Sequence, residues 1–274
     1  MNDDSVGAGT RKVLLSALVV AHNEEAQLAD CLATLGFADE IVVVLDRCTD
    51  GSRASAVRFT DRLIEGAWER EGGRRNTGIE ACRGTWIVEV DADERIPAAL
   101  AGEIRAIAET SAWDWHLIPV DNFIGGRLVR YGWGGSFGRA SVPALFRRGA
   151  KVWGDERVHP RLTWQGRQGP RLTHPLLHYV DRDISDMLRR LDRYTTLRAR
   201  DLRERGGAGT LAGNLRRLIS RFYKCYVRRR GYREGGWGVL LALCAGLYPL
   251  LSYLKATLED DHGRPIDPTT AGGS

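Results

Sequence analysis

The stretch Thr85-Trp86-Ile87-Val88-Glu89-Val90-Asp91-Ala92-Asp93-Glu94 decides how this chain is read. An apolar run that stops at Asp91 fits a strand buried on both faces, as in a parallel sheet covered by helices. Just beyond it, two carboxylates one residue apart can share a divalent cation. Mg²⁺ and Mn²⁺ prefer oxygen ligands and keep positions open for water and phosphate oxygens. A D-x-D triplet alone is also what a solvated acidic turn looks like. Its place at the end of a buried strand gives it weight.

Working outward, the surroundings repeat the pattern. Residues 13–21 are apolar apart from Ser16. They read as a first buried strand rather than a signal peptide, because Asp3 and Asp4 precede them and His22-Asn23-Glu24-Glu25 follows at once. Residues 24–35 carry Ala26, Leu28, Leu32 and Leu35 at helical spacing. Glu40-Ile41-Val42-Val43-Val44-Leu45 is a second strand, ending at Asp46, before the turn Cys48-Thr49-Asp50-Gly51-Ser52. A helix is expected over 54–59, a short strand over 62–64 and a helix over 73–82. Such alternation predicts a mainly parallel, twisted α/β sheet flanked by helices. Ligands of such sheets bind beyond the carboxyl ends of the strands, where Asp46, Asp91 and Asp93 fall.

The remainder differs in character. Residues 116–180 are richer in Gly, Trp and Arg. Trp113, Trp115 and Trp133 suit either sugar stacking or a core, and Arg127 and Arg130 either an anionic acceptor or a solvated surface. A long charged helix is expected over 183–205, then a flexible break at Gly206-Gly207-Ala208-Gly209. Residues 211–233 hold eight bases interleaved with aliphatic and aromatic residues, and residues 235–254 carry no charge. Twenty such residues would span about 30 Å as a helix, although Pro249 falls inside. Three arrangements fit: a hairpin dipping into one leaflet, one transmembrane helix, or buried core helices. The bases beside the apolar stretch favour an anionic membrane surface over nucleic acid.

Composition agrees with two parts of different purpose. The 274 residues are 43% hydrophobic and 27% charged, enough for a sizeable core and against wholesale disorder. Residues 1–115 hold 12 Lys/Arg against 21 Asp/Glu, a balance of −9; residues 116–274 hold 28 against 14, a balance of +14. Only four of the 40 bases are lysine, and arginine is the better bidentate partner for phosphate. Five scattered cysteines with no C-x-x-C support neither a zinc ribbon nor a disulfide framework. The expected division is a flexible 1–12, a donor and metal half over 13–115, an acceptor half over 116–205, membrane-associating helices over 206–258 and a flexible tail over 259–274.

Several motifs taken together resemble the family 2 glycosyltransferases of the GT-A fold. They are Val19-Val20-Ala21-His22-Asn23-Glu24-Glu25, Val44-Leu45-Asp46-Arg47-Cys48-Thr49-Asp50, Arg74-Arg75-Asn76 and Val90-Asp91-Ala92-Asp93-Glu94. Further along, Leu145-Phe146-Arg147-Arg148, Val158-His159, Leu176-Leu177-His178-Tyr179, Asp192-Arg193-Tyr194 and Gly235-Gly236-Trp237-Gly238 are similar to bacterial lipopolysaccharide-core β-glucosyltransferases. The resemblance implies an inverting transferase that moves a hexose, glucose foremost, from a UDP-sugar to a lipopolysaccharide-core or other lipid-linked acceptor. It implies Mg²⁺ or Mn²⁺ and the cytoplasmic face of the bacterial inner membrane.

Roles follow residue by residue. Asn23 and Glu24 would lie beside the nucleoside, and Asp46 would accept from the base N–H. Arg75 and Asn76 would face the diphosphate or sugar. Asp91 would face the ribose or the metal, Asp93 would be the main metal ligand, and His159 and His178 would neighbour phosphate or metal. Inversion also needs a base. Relatives carry His-Glu where this chain has His159-Pro160, which leaves Asp155 and Glu156, just upstream, as candidates, with Asp121 a further one. Two other readings stay open: transfer to polyprenyl phosphate, and a non-catalytic membrane scaffold that keeps the fold.

Overall fold

In the computed structural model, residues 13–134, 137–157, 160–260 and 262–266 are described. The flexible end expected at 1–12, residues 261 and 267–274 of the tail expected over 259–274, and His159 lie outside them. The chain runs β1 (Leu15–Ala21), α1 (Glu25–Ala33), β2 (Glu40–Asp46), α2 (Ser52–Ala56), β3 (Leu63–Gly66), α3 (Glu71–Ala81) and β4 (Trp86–Asp91). Then come β5 (Glu94–Arg95), α4 (Ala98–Thr110), β6 (Trp115–Ile124), β7 (Arg127–Val129), β8 (Ser141–Arg147), β9 (Lys151–Trp153), β10 (Leu162–Trp164) and β11 (Leu176–Asp181). Three helices close it: α5 (Ile184–Arg205), α6 (Leu211–Tyr223) and α7 (Gly236–Leu258).

Nine strands form one sheet in the order β3-β2-β1-β4-β8-β6-β11-β5, with β7 on β6. The first four are parallel, as the apolar runs predict. Beyond β4 the sheet is mixed: β8 is antiparallel to both neighbours, β11 is parallel to β6, and β5 is antiparallel to β11. All seven residues of β1 are buried. Leu15, Ala17, Val19 and Ala21 join Leu28 and Leu32 of α1 and Leu100 and Ile104 of α4. Leu18 and Val20 join Ile79 of α3 on the other face. Each leucine, isoleucine or valine among them, fully buried, contributes about 1.5–3 kcal/mol. Gly72 lets α3 meet the β9 end: a Cβ there would lie 1.7 Å from the Gly154 carbonyl oxygen.

The parallel register sets the functional edge. Val20 is opposite Asp91 and Ala21 opposite Leu45, so the residues after β1, β2 and β4 emerge side by side. The two-residue strand β5 then turns back, putting Glu94 opposite His178, which itself pairs with Asn122.

A second core holds the helical part. Trp133, Phe137, Met187 and Leu191 pack with Leu241, Ala245 and Tyr248, so Trp133 is a core residue, and Trp115 stacks on Trp164. Asp183 caps α5 by accepting from the Asp186 N–H at 2.7 Å, and Gly206 ends it at φ 71°. The basic segment is not one continuous helix. After α6 it widens into a π turn, Lys224–Arg228, and then tightens into a 3₁₀ turn, Gly231–Glu234. The hairpin considered within 235–254 does not form: one helix, α7, runs through Pro249. Half of its most apolar stretch is buried, against α5 and α6. That packing offsets the hydrogen bond a proline forfeits.

Candidate active site

The loops after β1 and β2 are tied together. Asn23 sits in the left-handed region at φ 56°, a conformation asparagine tolerates, and its Oδ1 accepts from the Thr49 N–H at 2.8 Å. The Glu24 N–H donates to Ser52 Oγ at 2.9 Å. This leaves the Glu24 side chain at the mouth of a cleft of about 1220 Å³, lined also by Asn23, Asp93, Tyr179, Arg190 and Arg193. Burial, with Asp93, Asp91 and Asp50 nearby, pushes the Glu24 carboxyl up to about 7, although Arg193 pulls the other way.

Asp93 and His178, 85 residues apart in the chain, meet here. His178 Nε2 lies 3.2 Å from Asp93 Oδ2, and its Nδ1 is 2.8 Å from Asn122 Oδ1. The Asn122 amide donates to the Arg139 carbonyl, so its Oδ1 is turned to accept from Nδ1–H. Burial resists charge on His178, but Asp93 and Glu94 outweigh it and raise its pKa. Asp93 Oδ1 has no hydrogen-bond partner among the described residues.

Asp91 points elsewhere. Its two oxygens accept from Arg75 at 2.8 Å and Arg139 at 2.9 Å, and these arginines, working against burial, hold it well below the usual carboxylate range. Glu94 accepts from the Asp91 N–H and from Arg139; burial and the charge of Asp91 push it up to about 7. Arg75 also donates to Glu71 and to the buried Glu89, which pairs with Lys151 at 2.6 Å. Arg75 and Asp91 are therefore brought together, but within a buried ion network beside the cleft. Asn76 closes a pair of bonds with the Trp153 backbone, both at 2.9 Å.

Asp46, at the end of β2, is buried and fully engaged: Arg47 donates to both oxygens, the Trp68 N–H to one and Arg74 to the other at 3.2 Å. Asp155 and Glu156 lie apart from Asp93. Each accepts from Arg205, at 3.0 and 3.1 Å, and neither lines the Asp93 cleft. Asp121 lies 3.9 Å from Arg130. Sequence reasoning did not single out Arg139 or Arg193 as site residues. For Arg193 the signal was present, in the motif Asp192-Arg193-Tyr194.

Among the described residues no group of three or more His, Cys, Asp or Glu side chains is arranged to hold a metal. Asp93 and His178 together offer one oxygen and one nitrogen facing each other, with the carboxylate of Glu24 close by. A cation that keeps most of its shell for water and phosphate needs only one or two protein carboxylates.

Comparison with known proteins agrees with this edge. Residues 16–122, which span β1 to most of β6, match glycosyl transferase family 2. The chain has the α/β fold of that family, GT-A, with a C-terminal apolar helix added, and is related to its glycosyltransferases. A lipopolysaccharide core biosynthesis glycosyltransferase, LpsC of Rhizobium meliloti, is 27% identical over 268 residues, covering 89% of this chain and 92% of that one. An uncharacterized glycosyltransferase of Rickettsia felis is 29% identical over 104 residues, 38% of this chain and 37% of that one. The crystal structure of S. aureus TarS 1-349 in complex with UDP is similar at a TM-score of 0.47 and 15% identity, covering 81% of this chain and 75% of that one.

Proposed function

We propose that this chain is an inverting hexosyltransferase that takes glucose or a similar hexose from a UDP-sugar. The acceptor is a lipopolysaccharide-core or other lipid-linked glycan at the cytoplasmic face of the bacterial inner membrane. The observation that carries this is the Asp93–His178 pair beside Glu24, at the carboxyl edge of the parallel strands and open to a cleft of about 1220 Å³. The long LpsC match, over most of both chains, supports the acceptor class.

In this reading Asp93 and His178 hold Mg²⁺ or Mn²⁺, with Asp91 held alongside by Arg75 and Arg139. When bound, the cation supplies charge to stabilise the departing diphosphate. Asn23 and Glu24 flank the nucleoside. Asp46 accepts from the base N–H in place of Arg74, whose bond is its longest. Arg193 reaches the cleft with no carboxylate partner among the described residues and is placed to meet phosphate. Arg75 and Asn76 act on the donor through the frame they hold, Arg75 through Asp91 and Asn76 through β9. Asp155 and Glu156 take the acceptor proton once released from Arg205. A second reading gives that proton to Glu24, which already lines the cleft and whose carboxyl is pushed up to about 7.

The test is UDP release from UDP-glucose by the purified protein with and without Mn²⁺. Asp93→Ala is expected to lower kcat by roughly 10²–10³, the loss of one preorganised stabiliser. Undiminished turnover in that variant sinks the reading. Transfer to polyprenyl phosphate, or no hydrolysis at all, points to the other readings of the sequence. The base is the residue among Asp155→Asn, Glu156→Gln and Glu24→Gln whose loss removes the acidic limb of the pH–rate profile.

A further inference from the structure

A groove of about 750 Å³ opens where the start of α5 meets the start of α7, and it shares no lining residue with the Asp93 cleft. Its walls are apolar: Ile184 comes from α5, and Trp237, Val239, Leu240 and Leu243 come from α7. Val239 and Leu243 stand four apart on one face of α7, and Ile184 and Leu188 stand four apart on α5. These four are 38–50% exposed. Trp237 and Leu240 also pack against the second core, which fixes that wall. The charged lining is Arg127, Arg233 and Glu234. Glu234 Oε1 accepts from the Arg130 and Tyr131 N–H groups, and its Oε2 lies 3.9 Å from Arg127. Arg233 lies over the Tyr131 ring, 4.4 Å from its centroid. Both arginines are exposed, so the groove keeps a positive balance.

Groove and cleft adjoin at two places. Gly125 and Gly126 line the cleft and Arg127 the groove; Arg182 lines the cleft and Ile184 the groove. The two places touch. The Gly125 N–H donates to the Asp181 carbonyl at 3.0 Å, and a Cβ on Gly125 would lie 2.7 Å from the Arg182 carbonyl oxygen. The ridge between them is low there, because neither glycine adds a side chain to it. The volume suits one small molecule, whereas a folded partner needs a broad face. Apolar walls with a positive balance match an amphiphile that carries a hydrocarbon tail and an anionic head. We infer that the groove holds the hydrocarbon chain of a single anionic lipid. Arg127 and Arg233 meet its phosphate, and the rest of its headgroup leads across Gly125-Gly126 toward Asp93. That this lipid is the glycosyl acceptor rests on the transferase reading above; its binding does not.

Isothermal titration calorimetry of the full chain with lysophosphatidylglycerol, below the concentration at which micelles form, tests this with no bilayer present. One lipid per chain is expected, binding roughly tenfold tighter for every two CH₂ groups added to the tail. A zwitterionic phosphocholine head should weaken it about fivefold, and R127Q/R233Q should erase that preference. I184Q/L243Q should bind about tenfold more weakly. V57Q/V152Q, which alters two exposed apolar residues outside the groove, should bind as wild type. I184L/L243M keeps the wall apolar and should also bind as wild type, which separates a lost contact from a lost fold. Affinity independent of tail length, or equal weakening in V57Q/V152Q, overturns the groove. So does a dimer at sedimentation equilibrium that I184Q/L243Q alone abolishes, which would give the face to a second copy. UDP release from UDP-glucose without acceptor is expected to be unchanged in I184Q/L243Q. Lipid binding without UDP release would defeat the transferase reading and keep the groove; UDP release without lipid binding would do the reverse.

Discussion

β1 and α7 are both long apolar segments, and they come to opposite ends. β1 disappears: helices cover both faces and all seven residues are buried. α7 is covered on one side only, by α5 and α6, and leaves Val239, Leu243 and Leu258 exposed. Its neighbour α6 goes further. Leu211, Leu215, Ile219 and Tyr223 recur at steps of four and are 45–68% exposed, among Arg216, Arg217 and Lys224. Apolarity in the α/β part is used up by its own fold. In the helical part some of it is left facing outward, beside positive charge, which suits an anionic bilayer surface.

Removing one charge from the α/β part should break this comparison hardest. Arg75 is 9% exposed and answers Glu71, Glu89 and Asp91. Arg75→Ala leaves buried carboxylates uncompensated, at a cost of about 3–5 kcal/mol. Urea unfolding monitored by circular dichroism measures it. A midpoint close to wild type would mean that the network is not closed as described.

The α6 stripe should behave in the reverse way. Leu215→Glu with Ile219→Glu is expected to leave stability within about 0.5 kcal/mol, because both side chains already face solvent. Binding to phosphatidylglycerol vesicles should fall by at least tenfold, since two apolar side chains no longer enter the interface at roughly 1.5–3 kcal/mol each when fully buried. Full retention on vesicles would move the membrane contact to α7 or abolish it.

The same contrast explains what the sequence disclosed. Strands β1, β2 and β4 were legible because burial on both faces writes itself as an unbroken apolar run, each leading to a polar edge. Helix α5 was legible from its repeat and from Gly206. Strand β5 was not: two residues carry no period, and its pairing with β11 is a long-range fact. Yet that pairing brings His178 to Asp93. The sequence set Arg75 at the donor diphosphate or sugar and Asp91 at the ribose or metal; in the structure the two side chains meet at 2.8 Å. It had no means of showing that the contact lies inside a network with Glu89 and Lys151, because those partners come from β4 and β9. In the helical part, hydropathy located the segment but not its exposed side. That depends on where α5 and α6 pack.

The smallest effect sharpens the comparison at the site itself, where the α/β part keeps one charge poorly satisfied. The Glu24 carboxyl is lifted by burial from 4.5 to about 7. Between those values the unfolded chain holds fewer protons than the folded one, so this group costs stability as pH rises through the window and costs most above 7. Glu24→Gln removes the ionisation. In metal-free buffer the variant should equal wild type near pH 4.5 and exceed it at pH 8, by about 1 kcal/mol after screening by the water that reaches this half-buried group, or roughly 2–4 °C in Tm. Mn²⁺ should narrow the gap, because a cation beside Asp93 favours the charged carboxylate of the wild type. A gain of equal size at both pH values would trace the effect to packing and not to charge. A gap that Mn²⁺ leaves untouched would place the cation away from Asp93 and Glu24.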